Sequence, residues 1–163
     1  MSDLNADALV APTRRVALRF ETEDDAVADI QRLRSGYTKV GAWSLNQICW
    51  HLDTAMQFRM RPGPHEPNTP EQDARRSMFE EVLATGRLPS GIASPSVVVP
   101  PADVGDDAID GCIATLQKFK TFAGDFAPHR LFGHMPADVA HKQNLIHVAH
   151  HLSHLVPSST SKQ

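Results

Sequence analysis

Nine histidines occur in this 163-residue chain, and four of them fall between His147 and His154. On a helix a four-residue step is about one turn, which stacks His147 over His151 and His150 over His154. Two imidazoles at that spacing can grip one cation, as in other helical metal motifs. At about 100° per residue all four share a sector roughly 100° wide. Leu145, Ile146, Val148, Ala149, Leu152 and Val156 fill most of the remaining circumference. Such a helix is largely buried, and buried imidazoles need partners. A metal is one answer and a hydrogen-bonded polar network is the other.

A metal site of this kind lacks a ligand from a second segment, and His51 is the candidate. It lies on the apolar face of another helical stretch, three residues after Ile48 and four before Ala55. Alone, it reads as a hydrogen-bonded core histidine; beside the C-terminal cluster it reads as a third nitrogen ligand. His51, His147 and His151 would leave coordination positions open, the arrangement of a catalytic rather than a structural metal. Imidazole ligands favour Zn, Ni, Fe or Cu over Mg or Ca. Neutral imidazoles keep the charge near +2, suited to an anionic nucleophile.

His150, beside the triad, is the candidate catalytic residue, a proton carrier; its alternative is a core hydrogen bond. His154 is a substitute ligand, and His129 and His134 belong to the preceding turn. His65, among prolines, is expected to be solvated, and His141 faces away. Asp53 points about 160° from His51. No glutamate stands between His147 and His151, so the metalloprotease pattern is absent. No Ser-His-Asp signature, phosphate loop or dinucleotide motif occurs either.

Four segments must position these residues. Thr22 caps a helix near 22–36 with acidic residues in its first turn. Ser44 and Gln47 form a capping box for a helix near 44–60, with Leu45, Ile48, Leu52, Ala55 and Phe58 on its apolar face. A third helix spans about 106–123 and the histidine helix about 136–155. Between the second and third lies a long excursion, where Thr69-Pro70-Glu71-Gln72 opens a short helix that Gly86 ends. The remainder, about 88–105, is rich in Pro, Ser and Gly, and Ser96 to Val99 is a poor strand. Arg14 to Phe20 is either extended or a short helix. The pattern is an all-α four-helix bundle with a long crossover between helices 2 and 3. One domain over 1–163 is expected, with 1–13 and 157–163 loose.

Hydrophobic residues at 41%, charged residues at 21% and a net charge of −3 describe an ordinary globular chain. They give no case for nucleic acid or an anionic membrane. No apolar run approaches a membrane span, and the opening residues lack the parts of a signal peptide, so the cytoplasm is expected. Cys49 and Cys112 read as small buried hydrophobes.

Trp43-Ser44-Leu45-Asn46-Gln47-Ile48-Cys49-Trp50-His51-Leu52 resembles the W-S-x-x-Q-x-x-x-H-L helix of the DinB/YfiT superfamily. His147-Val148-Ala149-His150-His151 is similar to its H-x-x-H-H element. Arg14-Arg15 through Leu33, Pro128 to Gly133 and His150 to Ser153 further resemble a subgroup known only as a domain of unknown function. The resemblance implies a DinB-like four-helix bundle with a divalent metal, Zn or Ni foremost, on His51, His147 and His151. Characterised members of that superfamily include transferases and isomerases that use low-molecular-weight thiols. Leu152-Ser153-His154 departs from the Arg-Gly-Gln-like run common there.

The leading expectation is a metal-dependent enzyme, of thiol-transferase or hydrolase type, acting on a small molecule. The alternatives are a non-catalytic metal- or ligand-binding module, or a bundle whose histidines serve packing and dimerisation. A homodimer is compatible with all three.

Overall fold

Three helix starts carry capping boxes, and the computed structural model, which describes residues 11–159, forms each of them. Thr22 with Asp25 opens α1 (Glu23–Arg34), Ser44 with Gln47 opens α2 (Leu45–Arg59), and Thr69 with Gln72 opens α3 (Pro70–Ala74). In each, the cap hydroxyl accepts from the third helical N–H, and that residue's side chain accepts from the cap N–H. After α3 come α4 (Arg76–Thr85), a 3-10 turn at Ser96–Val98, α5 (Asp107–Lys120) and α6 (Ala137–Leu152). Gly86 ends α4 at φ 66°, a left-handed cap that glycine adopts without a Cβ penalty.

The structure is mostly helical, with six α-helices among the described residues. The expectation of helix alone needs one correction. β1 (Tyr37–Lys39) pairs antiparallel with β2 (Leu155–Pro157), Tyr37 opposite Pro157 and Lys39 opposite Leu155. The histidine helix therefore stops at Leu152 rather than near 155. Arg15 explains the stop: its guanidinium donates to the carbonyls of Leu152 and Leu155, at 3.0 and 2.7 Å, satisfying acceptors that a continuing helix would have used. The same guanidinium grips Asp29 of α1 with two 2.8 Å bonds. Removing either partner would strand a mostly buried charge, a change that costs about 3–5 kcal/mol. Arg14 to Phe20, expected as extended or helical, is neither; it bends through a turn at Val16 and Ala17. Residues 1–10 and 160–163, within the segments expected to be loose, lie outside the described residues.

One core joins α1, α2, α5 and α6 through Ile30, Leu33, Ile48, Leu52, Leu116, Phe119, Val148 and Leu152. Cys49 of α2 and Cys112 of α5 are both buried there as free thiols. A hydrogen bond with Cys49, and then burial, holds the Cys112 thiol well above its ordinary range, so it stays protonated and inert. The buried face of α2 is rotated from the expected one. Met56 and Arg59 point inward with Leu52, while Phe58 is exposed. At 100° per residue Met56 and Arg59 lie within about 40° of Leu52, and Phe58 lies about 120° away.

The crossover is tied down rather than loose. Val82 of α4 packs with Phe132 and Ile146 in a second apolar cluster. Gln72 donates to the carbonyls of His129 and Arg130, and Asn68 accepts from the His134 N–H at 2.8 Å. Gly133 sits at φ 72° with its α-carbon against Asn68, where any Cβ would collide with the amide. These contacts hold the crossover against the 129–134 turn and α6, and at Val98 it reaches His51 of α2.

Candidate metal centre

His51 projects from the middle of α2, and His147 and His151 project one turn apart from α6. Their Nε2 atoms converge: His51 to His147 is 3.2 Å, and His151 to His147 is 3.1 Å. These residues form the cluster that could hold an ion, with ligand atoms all within 4.8 Å of one another. A tetrahedral metal with M–N bonds of about 2.05 Å separates its nitrogens by about 3.3 Å, and an octahedral one by about 2.9 Å. The two separations from His147 fall between these values.

The protonation chemistry agrees with that geometry. Nδ1 of His51 lies 2.7 Å from the Val98 carbonyl, which can only accept, so Nδ1 carries the proton and Nε2 presents a lone pair. A backbone carbonyl in that role fixes the ring and its tautomer, as around metal-ligating histidines generally. One proton on His147 cannot serve both neighbouring Nε2 atoms at full strength, so lone pairs are left facing each other. A cation would accept all three. Burial holds His51 below the ordinary imidazole range, against an opposing effect of the Val98 bond. It holds His147 and His151 well below that range, reinforced by the neighbouring histidines. All three are therefore neutral at pH 7, the form that binds metal.

Trp43, just ahead of the Ser44 cap, closes one side. Its ring lies 5.6 Å from that of His151 and 16° from parallel, and 5.1 Å from that of His51. On the other side the triad opens into a cavity of about 630 Å³ between the second half of α2, the Gln143–His151 stretch of α6, the crossover and the 128–132 turn. That is the size of an ordinary small-molecule site.

The remaining histidines sort by their neighbours. His150 borders the cavity but stands outside the cluster. Its Nδ1 lies 3.0 Å from Arg14 Nη2, which can only donate, so its own proton is on Nε2. Burial, then Arg14, pushes its pKa down to about 4. His154 is taken up elsewhere: its ring packs on Gly41, and its Nδ1 meets the His150 carbonyl at 3.1 Å. His129 lines the cavity with its ring stacked on Phe132, and its Nδ1 accepts from the Leu131 N–H, a turn role. His134 bonds the Glu66 carbonyl, holding the crossover. His141 pairs with Glu23 at 2.8 Å, away from the triad. Asp53 accepts from Gln57 and abuts Gly111 on α5, also away.

His65 corrects the expectation of a solvated side chain: it is half-buried, lines the cavity, and its Nε2 is sealed from solvent without a partner. The packing of the crossover, invisible in a proline-rich stretch, puts it there. Sequence reasoning also missed Arg59, although the buried stripe Leu52, Met56, Arg59 passes through it. Arg59 donates from Nε to the Ala127 carbonyl at 2.8 Å and from Nη1 to Gln143 at 3.0 Å.

Fold and site together define a mostly helical protein with a three-histidine candidate metal centre at the end of a cavity. The chain belongs to a family described as "Protein of unknown function (DUF1569)", whose model matches residues 12–158. Comparison with curated proteins and with solved structures gives no match. Among the described residues no helix is long and apolar enough to cross a membrane.

Proposed function

We propose that this chain is a DinB/YfiT-like four-helix bundle that holds one divalent transition metal, Zn or Ni, on His51, His147 and His151. On this reading it is a metal-dependent enzyme of thiol-transferase or hydrolase type. The observation that carries it is the convergence of three Nε2 atoms, at 3.1 and 3.2 Å, at the end of a ligand-sized cavity. The motif resemblance around His51 and His147–His151 supports the bundle assignment, as does the packing of α1, α2, α5 and α6 about one core.

A metal there supplies Lewis acidity, lowering the pKa of a thiol or water brought to it. The chain's own residues do the rest. Val98 fixes the His51 tautomer, Trp43 walls one side of the site, and the crossover lines the cavity on the other. His150, with its proton on Nε2, is the proposed proton carrier toward the cavity. It takes up a second proton only by giving up the Arg14 contact, so the best substrate is one that ionises readily. A thiol, with a free pKa of about 8.5, fits better than water at about 15.7.

Among the described residues no carboxylate belongs to the cluster. That observation favours, as a second reading, a metal- or ligand-binding module without turnover. Elemental analysis of untagged protein, followed by thiol-transfer and ester-hydrolysis screens, separates the readings. About one metal per chain with turnover supports the enzyme, metal without turnover supports the module, and no metal under any loading condition overturns the metal-dependent enzyme and the metal-binding module.

A further inference from the structure

Arg59 is a buried cation without an anion. Only 9% of the residue is exposed, and its two hydrogen-bond acceptors, the Ala127 carbonyl and the Gln143 side chain, are neutral. Its Nη2 is buried with no partner, and none of the ion pairs among the described residues includes it. An arginine stays charged when buried, and a buried charge without a counter-charge is costly. Arg59 lines the same cavity as the three histidines. The cavity's other charged residues are Arg61, Arg130 and Glu66, so three arginines face one carboxylate.

Two further features describe what would fill the space. Phe58, Ile92 and Val97, large apolar side chains exposed by 42%, 39% and 60%, all line this cavity. Exposed apolar groups gathered around one concavity mark a ligand site rather than ordinary surface. His65, whose Nε2 is likewise buried without a partner, lines the same cavity.

We infer that the cavity takes a small amphiphilic organic anion, with its oxyanion paired with the Arg59 guanidinium and its apolar body along Phe58, Ile92 and Val97. The part of the ligand nearest α6 then lies toward His147 and His151. The inference rests on the proposed metal centre only for what happens at that far end. Arg59 pairs with the anion whether or not a metal is present.

The test uses full-length protein, both metal-loaded and after chelator treatment, with three probes: 3-phenylpropionate, its neutral amide, and inorganic phosphate. Calorimetry reads affinity, and the side-chain 1H–15N resonance of Arg59 reads the contact. The acid should bind the metal-free protein at least about tenfold more tightly than the amide, the scale of one hydrogen bond to a charged group. It should also shift the Arg59 resonance. Phosphate should bind more weakly than the acid, because it offers nothing to the apolar wall; phosphate binding as tightly would overturn the amphiphilic assignment. Arg59→Met should lose about tenfold or more for the acid, with metal content unchanged, while Arg130→Gln should change affinity less than about threefold. Should Arg59→Met fail to fold, the acid-against-amide ratio on wild type and the Arg59→Lys variant, which keeps the charge, decide instead. Equal affinity of acid and amide, or an Arg59 resonance unmoved at saturating acid, overturns the inference. Acid bound only with metal, and equally well by Arg59→Lys and Arg59→Met, also overturns it and leaves the metal centre standing. Acid binding through Arg59 in a protein that never loads metal supports it and removes the metal reading.

Discussion

Nδ1 of His51 donates to the carbonyl of Val98 over 2.7 Å, joining α2 to a turn 47 residues further along the chain. That bond makes the crossover part of the histidine site. It also predicts that damage to the turn reaches the ligands. Val98→Pro removes the N–H that bonds the Pro95 carbonyl at 3.0 Å and loosens the turn. Metal affinity should fall by about 10- to 100-fold, the usual cost of losing such an outer partner, while far-ultraviolet circular dichroism stays helical. Unchanged affinity would detach the crossover from the site.

Direct loss of a ligand should cost more. His51→Ala, His147→Ala and His151→Ala should each weaken metal binding by more than about 100-fold, beyond the outer-partner effect. His154→Ala, whose ring packs on Gly41 instead, should keep full stoichiometry. Competition with a chromophoric chelator measures both. If His51→Ala kept its affinity, the ligand set would have to be redrawn on α6 alone.

Trp43 offers an optical readout, because its ring stacks on His151 at 5.6 Å. In a Trp50→Phe background, Ni(II) or Cu(II) should quench Trp43 emission and saturate at about one equivalent. The quench should vanish with His147→Ala. Quenching that persists in that variant would place the metal elsewhere.

The local signals for this site were legible in the sequence and its enclosure was not. Capping boxes at Ser44 and Thr69 are short-range chemistry, so the starts of α2 and α3 could be read directly. The spacing of His147 and His151 is a property of one helix. His51 could be added because a histidine on an apolar face asks for a partner. Val98, His65 and Arg59 depend on how residues 61–105 fold back over α2 and α6, and proline-rich crossovers carry no periodicity to show that. The end of α6 was misplaced for a related reason: Arg15 competes for its last carbonyls from 137 residues away. Arg59 was hidden by its residue type, since arginine is read as surface unless the buried stripe is followed through it.

The titration of the metal-free protein follows from burial. His129 is pushed down to about 3, chiefly by burial and then by Arg59 and Arg130. His51, His147 and His151 are lowered by burial as well. Each has a folded pKa below its unfolded value of about 6.5, so between those values the unfolded chain binds more protons than the folded one. The stability these neutral rings allow is fully present above about pH 6.5 and is lost as pH falls. For His129 the loss continues to about pH 3. Each such histidine adds a slope of up to about 1.4 kcal/mol per pH unit. Urea unfolding of chelator-treated protein between pH 8 and 5 should show stability falling with acid, less steeply in His129→Gln. Stability rising over that range would contradict the buried, neutral imidazoles.

The remaining prediction concerns substrate activation. If His150 keeps its proton on Nε2 and no carboxylate joins the cluster, a ligand must ionise on binding with little help from a protein base. A low-molecular-weight thiol can do so near neutral pH, being only about 1.5 units from its free pKa of about 8.5 at pH 7. Calorimetry of such a thiol against metal-loaded protein, in two buffers of different ionisation enthalpy, should show close to one proton released per thiol bound. His147→Ala should abolish both the binding and the release. His150→Gln, which keeps a side-chain donor but cannot carry a proton, should bind the thiol while slowing any transfer reaction. Thiol binding without proton release would exclude thiol activation and leave the hydrolase and binding-module readings. No thiol binding at all, with metal present at one per chain, would move the search for substrate to the apolar wall and Arg59.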